Sequence, residues 1–198
     1  MGVAKPFPIP KQWVCEAYLQ VKANGGGPGV DGQTVEDFED DLKSNLYRIW
    51  NRRSWGSYFP PPVKSVAIPK SDGRERRLGI PTISDRIAQA VVKRVLEPIV
   101  EPQFLPQSYG YRPSRSAHDA IGKAREHCWR YDWVVDLDIR AFFDTLDHHL
   151  VMHAVRRYTR CRWILLYVER RHKAPLQRED GTIEERKSGT PHEIPSCQ

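Results

Sequence analysis

Cysteine is scarce in this chain of 198 residues: four occur, at positions 15, 128, 161 and 197, with no two closer than 33 residues. That spacing excludes metal-finger motifs, and a disulfide framework is not expected at this length. A reducing, cytoplasmic setting is therefore the expectation. Long apolar runs are also missing. The longest, residues 163–168, has six members, whereas a membrane span needs about 18, so no transmembrane segment and no membrane partner are expected. The opening MGVAKPFPIP has no apolar signal stretch, and Pro6 stands where N-myristoylation requires Ser or Thr. No repeat or low-complexity tract occurs.

What is present fits a globular protein. Hydrophobic residues make up 39% and charged residues 28%, with a mean hydropathy of −0.62. A chain of this size buries roughly 70% of its unfolded surface and needs no covalent staples. Its length allows one ordinary domain, or a large and a small lobe. The net charge is +6 and the isoelectric point about 9.2, which suits a polyanionic partner without proving one. The surplus is concentrated. Residues 48–77 hold eight basic side chains against two acids, and residues 151–173 hold seven against Glu169. Residues 36–41, EDFEDD, are acidic. Basic blocks are often solvated helix faces, but two of them flanking a carboxylate-bearing strand favour phosphate contact.

Apolar spacing predicts a helix over 11–23, then a flexible NGGGPG link at 24–29. Val35, Phe38, Leu42 and Leu46 predict one helix over 35–47, capped by Thr34. After YFPPP, residues 63–69 read as a strand, Ser71-Asp72-Gly73-Arg74 as a turn, and 76–80 as the returning strand of a basic hairpin. A helix capped by Ser84 carries Ile87, Val91, Val95 and Ile99 on its apolar face, with Pro98 bending or ending it. Ser116 and Asp119 form a capping-box pattern opening a helix to about residue 130. WVVDLDI, 133–139, is the clearest strand pattern, with Asp136 and Asp138 on one face. A third helix begins in 144–147 with Leu150, Ala154 and Tyr158 along one side, and a further hairpin follows Lys173. Helices mixed with antiparallel hairpins indicate the α+β class.

Three places hold candidate chemistry. A carboxylate inside an apolar strand is costly to bury unless it is paired or binds a cation, so Asp138, at the strand's end beside a turn and two aromatics, is a candidate Mg²⁺ ligand. The alternative places Asp136 and Asp138 on a solvent-facing side with no role. The hairpin residues Lys70, Arg74, Arg76 and Arg77 can fold over a triphosphate or follow a nucleic-acid backbone, or simply guard a sheet edge. In SYGYRPSRSAHDAI, 108–121, Tyr109 and Tyr111 offer stacking surface and Arg112 and Arg115 offer phosphate donors. His118, in a first helical turn, is more simply a structural hydrogen-bonding residue.

These blocks, VKSVAIPKSDGRERRLGIPTISDRIAQ, SYGYRPSRSAHDAI and WVVDLDIRAFFDTLDH, resemble consecutive signatures of the bacterial reverse transcriptases encoded by group II introns, the maturase or retron-type family. NGGGPGVDGQTVEDF, 24–38, resembles that family's N-terminal extension block. The resemblance runs from about residue 20 to 191. It implies the fingers and partial palm of a right-hand polymerase: an N-terminal helix and link over 1–30, extension block and fingers over 31–130, partial palm over 131–191, and an aberrant tail over 192–198. It implies an RNA-directed DNA polymerase using Mg²⁺, with RNA template or intron RNA, DNA primer and deoxynucleoside triphosphates as partners. Asp138 matches the first metal-binding, catalytic aspartate, and Ile139 matches the neighbour whose carbonyl reaches the metal. Phe143 matches the aromatic gate against the ribose 2′-OH, and Lys70 and Arg76 match the triphosphate-binding residues. The PTISDR and YGYRPSRS segments, with Arg86, Arg112 and Arg115, match parts engaged in template contact or in packing beneath it. Arg77 stands where the family has Pro, and it joins the nucleic-acid-binding set.

The end of the chain departs from the family. SGTP, 188–191, runs into HEIPSCQ, with His192 where the family has Gln, and the Gly pair and the Tyr-x-Asp-Asp hairpin do not follow. A truncated or frameshifted copy, catalytically incomplete, is the expectation. A non-catalytic RNA-binding remnant and an inert product are the alternatives.

Overall fold

Residues 4–69, 73 and 75–190 are described by the computed structural model. Lys70, Asp72 and Arg74 at the hairpin tip, and the tail 192–198, lie outside the described residues. α1 (Lys11–Asn24) turns Val14, Ala17, Tyr18 and Val21 inward, the expected amphipathic stripe. The helix expected over 35–47 is two helices, α2 (Val35–Asp40) and α3 (Leu42–Ser54), because Asp41 adopts φ −126° and ψ 49° between them. Thr34 caps α2 through a reciprocal box with Asp37.

β1 (Val63–Pro69) and β2 (Glu75–Ile80) pair antiparallel, with Lys64 opposite Ile80 and Pro69 opposite Glu75. α4 (Ile83–Val100) follows. Its cap is Thr82, two residues before the expected Ser84, with the Thr82 hydroxyl accepting from the Asp85 amide at 3.2 Å. Pro98 does not end α4, which continues into a 3₁₀ turn, Glu101–Gln103. Ile87 and Val91 are buried as expected, while Ile99 faces outward.

α5 (Ala117–Cys128) opens on the expected Ser116–Asp119 capping box. The next stretch differs from expectation. Residues 133–139 form no strand, and Trp133 and Leu137 are 89% and 87% exposed. Alternating apolar residues make a strand only when a neighbouring backbone takes up their hydrogen bonds. α6 (Phe142–Thr145) and α7 (His148–Tyr158) come next. α7 turns Met152 inward, whereas Leu150 is exposed.

α8 (Arg162–His172) closes the core, setting Trp163, Ile164 and Tyr167 among residues of α1, α3 and α4. β3 (Leu176–Gln177) runs parallel to β1, and β4 (Ile183–Glu184) pairs antiparallel with β3, giving the order β2-β1-β3-β4. The architecture is α+β. Among the described residues, no helix is long and apolar enough to cross a membrane.

Candidate nucleotide and nucleic-acid site

The turn after Asp138 is built by one unusual backbone position. Ala141 sits at φ 52° and ψ 33°, the left-handed region, and reverses the chain into α6. A non-glycine residue pays for that conformation in local strain, so such positions repay inspection at functional sites. Asp138 and Ile139 lie exposed on the approach to this turn. The Ile139 carbonyl accepts the Phe142 amide at 3.3 Å. Phe143, 37% exposed, meets Phe142 edge to face at 5.3 Å.

A second segment fixes this turn from about forty residues further along the chain. The Thr190 amide donates to the Phe143 carbonyl and the Gly189 amide to the Leu146 carbonyl, each at 2.7 Å. The His148 Nε2 lies 2.7 Å from the Gly189 carbonyl oxygen. Gly189 is required here: its φ is +78°, and a Cβ would lie 2.6 Å from the Asp144 carbonyl oxygen. Sequence reasoning missed this clamp. Its visible trace was the glycine in SGTP.

Asp138 does not by itself make up a two-ion centre among the described residues. Among the described residues, no three His, Cys, Asp or Glu side chains gather closely enough to hold a metal ion. Two-metal phosphoryl transfer sets its ions about 3.5–4 Å apart and needs several carboxylates to hold them.

On the hairpin, Arg77 lies opposite Ala67 and faces solvent. The backbone of Arg76 pairs with Ile68. Gly73, at φ +77°, has the turn conformation that its place in Asp-Gly predicts.

Two of the expected nucleic-acid residues are turned to other partners. Arg112 is buried: its Nε and Nη2 donate to Glu101 Oε1 at 2.9 and 2.7 Å, and Nη1 donates to the carbonyls of Leu105 and Ser108 at 2.7 and 2.8 Å. It is the post around which the 101–112 loop folds, and it presents no fork to a phosphate. Arg86 donates through Nη1 to the Gly25 carbonyl at 3.3 Å and through Nη2 to the Gly27 carbonyl. The NGGGPG link, expected to be flexible, is therefore tethered to α4. Gly29 also packs so closely on Thr82 that a Cβ there would meet its backbone at 2.7 Å.

The basic blocks divide in the same way. Arg53 is buried; Arg170 donates to the carbonyls of Gly56 and Tyr58 at 2.7 and 2.6 Å; Arg171 approaches Asp85 at 3.6 Å. Among the described residues of these blocks, Arg48, Arg52, Arg77, Arg156, Arg157, Arg160, Arg162 and Lys173 face outward, Lys173 paired with Glu169 at 2.6 Å. Arg115 is also exposed, 5.5 Å from the ring of Tyr109, and Tyr111 next to Arg112 is 80% exposed at φ 55°. That loop thus offers a cation and two aromatic rings, as stacking on single-stranded bases requires.

Comparison with known proteins identifies the family. The model of the family described as reverse transcriptase (RNA-dependent DNA polymerase) matches residues 68–191. Protein YkfC of Escherichia coli (strain K12) is 39% identical over 153 residues, covering 74% of this chain and 40% of that protein. Group II intron-encoded protein LtrA of Lactococcus lactis subsp. cremoris is 34% identical over 135 residues, covering 67% of this chain and 22% of that protein. Nuclear intron maturase 1, mitochondrial, of Arabidopsis thaliana is 30% identical over 127 residues, covering 61% of this chain and 18% of that protein. The chain thus spans less than half the length of each of these relatives. With the family match running from the end of β1 through β2, the tyrosine-rich loop and the Asp138 turn, the chain belongs to the reverse transcriptase (RNA-dependent DNA polymerase) family, in its group II intron-encoded reverse transcriptase and maturase branch.

Proposed function

We propose that this chain supplies the fingers and the first palm segment of a group II intron reverse transcriptase, and that alone it grips RNA without extending a primer. The supporting observation is the Asp138 turn: it carries a carboxylate and an aromatic ring on either side of Ala141, inside the matched span, with no gathered set of metal-ligating side chains among the described residues. Asp138 and the Ile139 carbonyl are this chain's contribution to a Mg²⁺ site whose other ligands lie outside the described residues. Phe143 bounds the sugar of an incoming deoxynucleoside triphosphate. Lys70 and Arg76 hold its phosphates. Arg77, Arg115 and the exposed arginines of α7 contact the RNA template and DNA primer, while Arg86 and Arg112 hold the backbone beneath them.

The test is fluorescence-anisotropy binding of a single-stranded RNA over a salt series, run beside primer extension on an RNA template. Binding should weaken steeply with salt, with a log–log slope of about −0.7 to −0.9 for each neutralised phosphate. Extension should be absent. Asp138→Ala should leave RNA affinity unchanged, since Asp138 is no cation. Salt-insensitive affinity would remove the RNA-binding half of the reading. Template-dependent synthesis by the purified chain, lost in Asp138→Ala, would show that the chain is a complete polymerase.

A further inference from the structure

Between the loop pinned by Arg112 and the turn pinned by Gly189, residues 113–140 form an arm. None of them is buried, and all but Ala120 and Lys123 are exposed. The apolar side chains are no exception: Ile121 of α5 is 64% exposed, and Trp129, Trp133, Val135, Leu137 and Ile139 are between 69% and 89% exposed. Soluble monomers seldom leave so much apolar surface open in one region. The two ends of the arm are strained. Among the described residues, the non-glycine positions with left-handed backbone are Tyr111, Ser114 and Ala141, at φ 55°, 57° and 52°. Two precede the arm's helix and one follows its extended stretch, and strained hinges favour exchange of the segment they bracket.

The core, for its part, carries an apolar groove along α4. Val92, Leu96 and Val100 are half-buried there, and Phe104, four residues further on, is exposed. These side chains line a cavity of about 630 Å³, and no residue of 113–140 contributes to its walls. The arm thus lies outside the groove of its own chain. The two surfaces match in spacing. In an extended chain every second residue falls on one side, about 6.6 Å apart, so Val135, Leu137 and Ile139 form an apolar edge opposite Asp136 and Asp138. Every fourth residue of a helix rises about 6 Å, so the row Val92, Leu96, Val100 offers equal steps. They also match in charge. Residues 131–139 hold three acids and no cation, whereas four cations and three acids line the groove.

We propose that two copies of this chain exchange arms, the 133–139 stretch of each lying along the α4 groove of the other. Each copy has one arm and one groove, so the exchange is reciprocal and closes into a symmetric dimer. Asp136 and Asp138 stay on the outer side of the docked stretch. The proposal therefore stands whether or not the chain binds RNA, and it assigns Asp138 no part in the contact.

The experiment is sedimentation velocity of the full chain over a concentration series, with two variants run alone and mixed. The wild type should form a dimer and go no further. An arm variant, Val135→Lys with Leu137→Lys, keeps the groove and loses the apolar edge. A groove variant, Leu96→Gln, keeps the arm and loses the apolar row. Each alone should raise the dimer dissociation constant at least tenfold. Mixed, they should form a dimer again, weaker than the wild type, because one arm of the pair still meets an intact groove. Circular dichroism checks that Leu96→Gln is folded, and Val100→Gln takes its place if it is not. Several results would overturn the proposal. A monomeric wild type would place the arm on its own chain or leave it uncovered. Growth beyond the dimer would mean that the contact does not close. A groove variant as dimeric as the wild type would show the arms pairing with each other, and a mixture that stays monomeric would show that arm and groove do not meet.

Discussion

His172 ends α8 half-buried, with its ring 5.6 Å from that of His148 and its Nδ1 2.8 Å from the Val168 carbonyl oxygen. Burial lowers its pKa below 6.5, and His148, Arg171 and Arg186 lower it further against the opposing Val168 hydrogen bond. The folded chain therefore takes up this proton later than the unfolded chain as pH falls. The stabilisation is complete above pH 6.5 and declines as pH drops from there toward the folded value. Thermal unfolding followed from pH 8 to pH 5 should show Tm falling more steeply in the wild type than in His172→Leu. Parallel curves would mean that His172 is not the group responsible. Arg112 shows why a single side chain is hard to place from sequence. Its charge reads as a surface phosphate donor, and only the closed loop shows that Glu101, eleven residues earlier, together with two carbonyls, takes up its donors.

Helix α4 depends on a cap that is itself buried. Thr82 is 2% exposed, and its hydroxyl is the acceptor for the Asp85 amide, while Gly29 presses on its backbone. Thr82→Ala should cost about 1 kcal/mol, the usual effect of losing a threonine cap, and lower Tm by roughly 2–4 °C in a chain of this size. Thr82→Ser, which keeps the oxygen, should recover most of that loss, with thermal unfolding by circular dichroism as the readout. An equal loss in both variants would assign the effect to the methyl group and its packing. The elements that local chemistry dictates were legible: α1 by its apolar stripe, α5 by its capping box, and β1 and β2 by the Asp-Gly turn between them. Elements that depend on distant chain were not. Residues 133–139 carry a strand's alternation, but strand formation requires a partner, and no short-range pattern reports whether one is there. The break at Asp41 was equally hidden, because Leu42 and Leu46 keep the helical spacing across it. Of the candidate site, Asp138, Phe143 and Arg115 were visible as residue types in order. The Gly189 clamp was not, because its hydrogen bonds join segments about forty residues apart.

Across the whole chain, apolar surface is distributed unevenly. α1, α3, α4 and α8 share one well-covered core, whereas Trp133, Val134, Val135, Leu137 and Ile139 stand in the open with no strand partner among the described residues. An extended apolar stretch of this kind is a template for pairing with another chain. The purified chain should therefore self-associate as its concentration rises, as sedimentation velocity would show. A double substitution, Val135→Lys with Leu137→Lys, should shift it toward monomer without lowering Tm, because neither side chain is buried. A wild type that stays monomeric at high concentration would show that this stretch is covered in solution. The same distribution bears on how the protein is made. Tyr167, whose hydroxyl donates to the Arg53 carbonyl 114 residues earlier, belongs to the helix that completes the core. At roughly 5–20 residues per second, a ribosome takes on the order of several seconds to proceed from the end of α4 to Tyr167. Throughout that interval the first four helices must wait with one side open while the barest part of the polypeptide emerges beside them. The order of the codons thus places the segment most prone to misassociation before the helix that finishes the fold, and a nascent chain paused there is at its most vulnerable.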